Sequence, residues 1–189
     1  LIYIFYMNFF KISFVIFLVH SFFLPVQSSQ ENVLNKLFNQ LEKVNNHKTA
    51  ELLERKIWSI WNEHPSDIRL TERLEFGTEL MQYGNYDYAL KVFDNIIATD
   101  SEWPEAWNKR ATVFFLMKQY TRSLRDIEKV LKIESRHFGA LSGQARIFIK
   151  TKEYEKAIVS LKKAIKIYPS FKSGELIPEI ERLIKEESI

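Results

Sequence analysis

An all-α solenoid of stacked helix pairs is the fold class this sequence predicts, on three observations. Small side chains recur at intervals of 34 residues, as Gly77, Ala111 and Ala145 and again as Ala89, Ser123 and Ala157. Bulky apolar groups keep the same interval at Leu80, Phe114 and Phe148 and at Phe93, Ile127 and Leu161, with Tyr86, Tyr120 and Tyr154 between them. Within each copy the apolar residues stand three or four apart in two runs, which is the pattern of two amphipathic helices. The small slots belong where the two helices cross, because only Gly, Ala or Ser lets the backbones approach, and the bulky slots fill the space around the crossing. Units of this kind bury their apolar faces against one another, so the copies are expected to stack.

The elements follow in order. Residues 1–28 read as upstream residues and a secretory signal, with Met7 as a candidate start. Lys11 precedes the apolar run Ile12 to Leu24, and Val26 and Ser28 supply small residues before a cut at Ser28/Ser29. An uncleaved anchor made from residues 1–24 is the rival reading, since about 20 apolar residues span a bilayer; Lys11 within it argues against that. Residues 29–69 read as a degenerate helical hairpin. Leu37, Leu41 and Val44 form one stripe, Leu53, Ile57 and Ile60 another, and Pro65 ends the second helix. As the end unit of a solenoid it is expected to cap the N-terminal side. Residues 70–103, 104–137 and 138–171 are the three full copies, and in the third the helices part near Thr151-Lys152. Residues 172–189 carry Leu176, Ile180, Leu183 and Ile184 at helical spacing, with Pro178 near the start, and read as the closing helix.

These copies resemble the tetratricopeptide repeat, whose pattern runs Trp, Leu-Gly, Tyr, Ala, Phe, Pro at fixed offsets. The second copy matches with Trp107, Ala111, Phe114 and Ser123, and the third with Leu141, Ala145, Phe148, Ala157, Leu161 and Pro169. Arg110 and Gln144 stand where the family usually has Leu, and Ser101 and Ser135 where it has Pro. The resemblance implies a right-handed superhelical solenoid of about three repeats plus capping helices. It also implies that the first helix of each copy lines a concave face. The groove slots are then Leu74, Thr78 and Met81; Asn108, Thr112 and Phe115; and Ser142, Arg146 and Ile149. For Met81, Phe115 and Ile149, ordinary packing between helices is the alternative. Some relatives grip a terminal carboxylate with a clamp of Lys, Asn and Arg side chains. This chain offers Asn108, Lys109 and Arg146 in different slots, and the clamp is not assigned.

No catalytic set can be assembled. The chain has no cysteine, and His47, His64 and His137 lack ligand spacing and read as turn or surface residues, so no metal or cofactor is expected. The five glycines form no phosphate loop, and Gly139-Ala-Leu-Ser142-Gly143 lies within a helix rather than at a hydrolase elbow. Trp58, Trp61, Trp103 and Trp107 read as structural, and Arg136-His137-Phe138-Gly139 as a turn between copies.

Charge is more informative by copy than in total. The first copy has seven acids against Arg73 and Lys91, a net of −5; the second has eight bases against four acids, +4; the third has seven against two, +5. The basic end, with Lys162, Lys163 and Lys166, is expected either to keep the surface soluble or to steer a dipolar partner or a second copy of the chain. The expected function is therefore a non-catalytic scaffold that binds a protein or peptide in its groove. A charge-driven adaptor on an anionic membrane or cell-wall surface, or a self-associating scaffold, is the alternative. Nucleic acid is not expected as a partner of an exported chain. The overall pattern resembles small exported repeat proteins of alphaproteobacteria, which implies the periplasm.

Overall fold

The computed structural model describes residues 25–187. Nine α-helices run through them: α1 (Pro25–Leu41), α2 (His47–Asn62), α3 (Ile68–Gln82), α4 (Tyr86–Thr99), α5 (Pro104–Leu116), α6 (Tyr120–Ile133), α7 (Phe138–Lys150), α8 (Tyr154–Ile167) and α9 (Ile177–Glu187). A short 3-10 turn, Lys172–Leu176, precedes α9. Among the described residues there is no strand, and no helix long and apolar enough to cross a membrane. The signal expected over residues 1–28 falls mostly outside the described residues.

The helix boundaries have local causes. Asn46 caps α2 by accepting from the Thr49 amide at 3.0 Å, and Asp67 caps α3 by accepting from the Arg69 amide. Pro104 opens α5, where a missing N–H costs no helical bond. The turn inside each repeat is built the same way three times: Gly84, Lys118 and Lys152 have φ of 76°, 59° and 61°. That left-handed conformation is free for glycine and strained for lysine.

The repeats pair α3 with α4, α5 with α6 and α7 with α8, and their crossings fall on the small slots. Ala89, Ala145 and Ala157 are wholly buried. A Cβ added at Gly77 would lie 2.6 Å from the Phe93 ring. The buried hydroxyl of Ser123 donates to the Ala111 carbonyl at 2.7 Å. The two polar residues standing at the family's Leu slot are answered across the helix pair. The guanidinium of Arg110 donates to both oxygens of Asp126, at 2.7 and 2.8 Å, and to Asp94. Ser160 donates to Gln144 at 2.8 Å. At the far end Ile180 of α9 is buried with Ala145, Ala157 and Leu161, closing the stack, whereas Leu176 stays exposed in the 3-10 turn instead of joining the stripe.

The α1–α2 hairpin is seated differently from the expected cap. Leu34, Leu37, Phe38 and Leu41 of α1 and Leu53, Ile57 and Trp61 of α2 are buried against Phe138, Leu141, Ala164 and Tyr168 of the third repeat, not against the first. The physical reason lies in the receiving side chains. Phe138, Tyr168 and Phe171 cluster in a ring-on-ring arrangement, 5.2 to 5.6 Å between centroids, and form an aromatic seat that the first repeat lacks. Arg136 fastens α1 to it, with its guanidinium over the Phe38 ring and bonded to Glu134, Glu31 and Asn35.

Helix α2 consequently runs past both junctions between repeats and the turn that follows the third. Glu51 pairs with Lys172 and Glu54 accepts from the Tyr168 hydroxyl. Trp61 stacks on His137 with ring centroids 4.0 Å apart, and its carbonyl accepts from the Trp103 indole at 3.0 Å. Beyond the helix, His64 bonds Asp100 at 2.9 Å.

Candidate functional site

Helices α5 and α7, with the end of α3, wall a cavity of about 410 Å³ on the inner side of the repeats. Because equivalent slots face it from successive helices, the lining comes in pairs: Met81 with Phe115, Asn108 with Ser142, and Thr112 with Arg146. These six are groove residues anticipated from the repeat pattern. The remaining three lie elsewhere. Leu74 is 1% exposed in the core between α3 and α4, so it packs rather than lines. Thr78 turns its hydroxyl back to the Leu74 carbonyl at 2.7 Å, and Ile149 packs with Tyr154 and Ile180 beside α9. Met81 and Phe115 do both: each is partly buried against the repeat core and lines the cavity.

One wall comes from outside the repeats. Trp58 of the hairpin, with Phe171 and Ser173 from the turn before α9, closes the cavity along its edge. Gly139 makes that approach possible, since a Cβ there would stand 2.5 Å from the Trp58 ring. Trp58 stands edge-on to His137 and Phe138 and donates weakly to Glu54 at 3.4 Å. Ser173 shares a hydrogen bond with Ser142 at 2.8 Å. The sequence assigned Trp58 a structural role only; it has a wall role as well.

Beneath this wall lies a buried polar cluster absent from the sequence reading. Glu105 and His137 are both fully buried, and their side chains meet at 3.0 Å. His137 Nδ1 accepts from the Ala140 amide at the start of α7, so Nε2 carries the hydrogen and donates to Glu105. Asn108 donates to the other Glu105 oxygen at 3.0 Å, and Lys109 lies 3.2 Å from it. Burial pushes the Glu105 carboxyl up, but the His137 hydrogen bond, the Lys109 charge and the Asn108 amide outweigh it and hold the carboxyl below its ordinary value. His137 is thus a turn residue as expected, yet a core residue rather than a surface one. Its 34-residue equivalents, Trp103 and Phe171, are the only sequence signal that this turn slot is an inward-facing one.

The charge the cavity offers a ligand comes from Arg146. It is exposed on the lining and makes no ion pair or hydrogen bond among the described residues, while Lys109 is drawn toward Glu105. Asn108 Nδ2 is spent on Glu105, leaving its carbonyl oxygen as an acceptor. Apolar rings, an unpaired guanidinium and amide and hydroxyl groups therefore share one surface, a lining suited to a chain with both side chains and backbone groups to satisfy. Lys162, Lys163 and Lys166 are exposed on α8, away from this lining.

Comparison with known proteins places this architecture among repeat proteins. Residues 82–164 match the profile of the family described as anaphase-promoting complex, cyclosome, subunit 3. A TPR repeat-containing protein of Rhizobium etli is 32% identical over 101 residues, covering 53% of this chain; the chain spans about half of that relative's length, 49%. Among solved structures, the Yersinia enterocolitica type III secretion chaperone SycD in complex with a peptide of the translocator YopD is similar at a TM-score of 0.59. It is 16% identical, with 66% of this chain and 98% of that chain covered. The first TPR of Spaghetti (RPAP3) bound to an HSP90 peptide is similar at a TM-score of 0.58 and 17% identity, covering 61% of this chain and 93% of that one. At these identities the structural likeness concerns the fold.

Proposed function

We propose that the chain is a tetratricopeptide-repeat protein and a non-catalytic scaffold whose inner groove holds an extended peptide or a partner helix. The observation that carries this is the cavity itself, where six slots of the repeat pattern converge with Trp58 around the unpaired Arg146. Extended peptides satisfy such linings by placing alternate side chains in pockets and bonding their backbone to fixed polar groups. SycD with its YopD peptide and the RPAP3 repeat with its HSP90 peptide support the reading by analogy of fold. A place in the cell envelope belongs to the same proposal and rests on the signal-like residues 1–28; mass spectrometry of the mature N-terminus tests that part.

Photo-crosslinking in living cells tests the groove. A photoreactive residue at Thr112 or Arg146 should yield a discrete protein adduct that disappears when Phe115→Ala is added, and one at the exposed Glu128 should not. Equal adducts from all three positions, or none from the groove pair, would remove the proposal. A charge-driven adaptor would instead lose binding with rising salt and ignore Phe115→Ala.

A further inference from the structure

The second helices of the second and third repeats carry charge that the fold itself does not call for. On α6, Arg122, Arg125, Lys129 and Lys132 are exposed with Glu128, and on α8, Lys156, Lys162, Lys163 and Lys166 are exposed with Glu155. None of these residues lines the inner cavity. Moving back by 34 residues turns Lys129 and Lys163 into Asn95, and Lys132 and Lys166 into Ala98. Helix α4 thus closes on α3 with Lys91 as its one cation, beside the exposed Asp87 and Asp94.

Four of the eight cations have local reasons. Arg122 bonds Gln119 and lies over the Phe114 ring, and Lys156 pairs with Glu153 and lies over the Phe148 ring. Lys132 and Lys166 stand in the last turns of their helices, where the carbonyl end favours a cation. Arg125, Lys129, Lys162 and Lys163 have neither reason, and none of them bonds an acid among the described residues. Arg125 with Lys129, Lys129 with Lys132, and Lys162 and Lys163 with Lys166 stand three or four apart, so like charges repel along each helix. A repulsion kept at slots that Asn95 and Ala98 fill equally well calls for negative charge from outside the chain.

The form of this face narrows the partner. Equivalent slots of α5 and α7 converge on the inner cavity, so those of α6 and α8 share the opposite, convex side in two rows. Among the described residues, no exposed position on α6 or α8 holds an aromatic ring, the platform on which single-stranded nucleic acid stacks its bases. Lysine supplies six of the eight cations, and its long apolar stem lets the charged head reach a surface that the backbone does not fit closely. Val159, 52% exposed in the slot of Arg125, adds an apolar group to the same side. The helices on either side are acidic, with Asp87 and Asp94 on α4 and Glu179 and Glu181 on α9, and a convex array bends both away from a flat partner.

We propose that the outer faces of α6 and α8 dock on an anionic phospholipid bilayer, with the lysine and arginine heads among the headgroup phosphates and Val159 at the interface. The inner groove stays open on the opposite side, so this contact is separate from the guest proposed for it.

Co-sedimentation of the full chain with lipid vesicles tests it. Vesicles of about 30% phosphatidylglycerol in phosphatidylcholine are the anionic probe, and pure phosphatidylcholine is the neutral one. The apolar run Ile12 to Leu24 would enter both alike, so the preference between them is the readout. The wild type should bind the anionic vesicles about tenfold more tightly or better, and the preference should fade as salt rises from about 0.05 to 0.5 M. Lys129→Glu with Lys163→Glu should remove most of it, Lys129→Arg with Lys163→Arg should keep it, and Glu128→Lys with Glu155→Lys should raise it. Arg55→Glu with Lys56→Glu, the same change of net charge on exposed positions of α2, should leave it unchanged, as should Phe115→Ala in the groove. A wild type without the preference would overturn the proposal. So would equal losses from the α2 pair and from Lys129→Glu with Lys163→Glu, which is the signature of net charge alone. Tighter binding of a duplex DNA fragment than of vesicles at equal phosphate would overturn it in favour of nucleic acid.

Discussion

The first and third repeats share one 34-residue frame and differ in what covers them. Phe138 of the third repeat is wholly buried under the hairpin, and α9 closes its outer side; Phe76 of the first is more than half exposed. In the third repeat an aromatic turn, Phe138 with Tyr168 and Phe171, recruits an apolar helix pair from elsewhere in the chain. The contrast teaches that repeat slots fix how each helix pair closes on itself, while the turn residues decide which neighbour it accepts.

Phe138→Ala attacks the covered side and should cost about 4 kcal/mol in chemical denaturation, since it opens a cavity among Phe38, Trp61 and Tyr168. Phe76→Ala on the open side should change stability by less than about 0.5 kcal/mol in the monomer. Similar losses from both would erase the difference between the repeats.

Glu105→Gln loosens the joint beneath the hairpin and should cost about 2 kcal/mol, because it removes the charge that Lys109 and His137 address inside the protein. Glu105 sits below its ordinary carboxyl value in the fold, so it stabilises the fold above the unfolded carboxylate range. That contribution is lost as pH falls through the folded value. Stability measured below pH 4.5 should therefore fall more steeply for wild type than for Glu105→Gln. Parallel curves would show that another carboxylate dominates.

Gly139→Val pushes on Trp58 from below and should cost about 2 kcal/mol by overpacking. Its sharper signature is a shift in tryptophan emission as the indole moves into water, with the pairing of α3 and α4 intact by hydrogen exchange. Smallest, and opposite in sign, Lys118→Gly relieves a left-handed lysine and should raise stability by about 1 kcal/mol, judged from thermal unfolding. The equivalent Gly84→Ala in the first repeat should lower it by a similar amount.

Much of this architecture was legible beforehand because its determinants are local. Gly77, Ala111 and Ala145 mark the crossings, Thr151-Lys152 the break between α7 and α8, and Ile180 the closing helix. The hairpin's seat was not legible. Leu37, Leu41, Leu53 and Ile57 announce that a face must be buried and carry no label for what buries it. Among the candidate groove residues the slots held where polar or long side chains reach past the helix pair, as at Asn108, Thr112 and Arg146, and failed at Leu74, whose branched apolar chain packs inward. Trp58 was legible as a structural residue and not as a cavity wall, because its place in the cavity depends on Gly139, 81 positions away in sequence.

Helix α2 is a chord drawn across the arc of the repeats. It is a stiff rod 16 residues long, tied at the turns around Trp103, His137 and Tyr168. A helical solenoid can ordinarily flex like a spring by small rotations at each turn; here, straightening the arc would have to stretch or break those ties. Those ties oppose a change in the width of the groove, so in the proposed complex a guest would meet a mould already set, with little ordering of the host to offset its contacts.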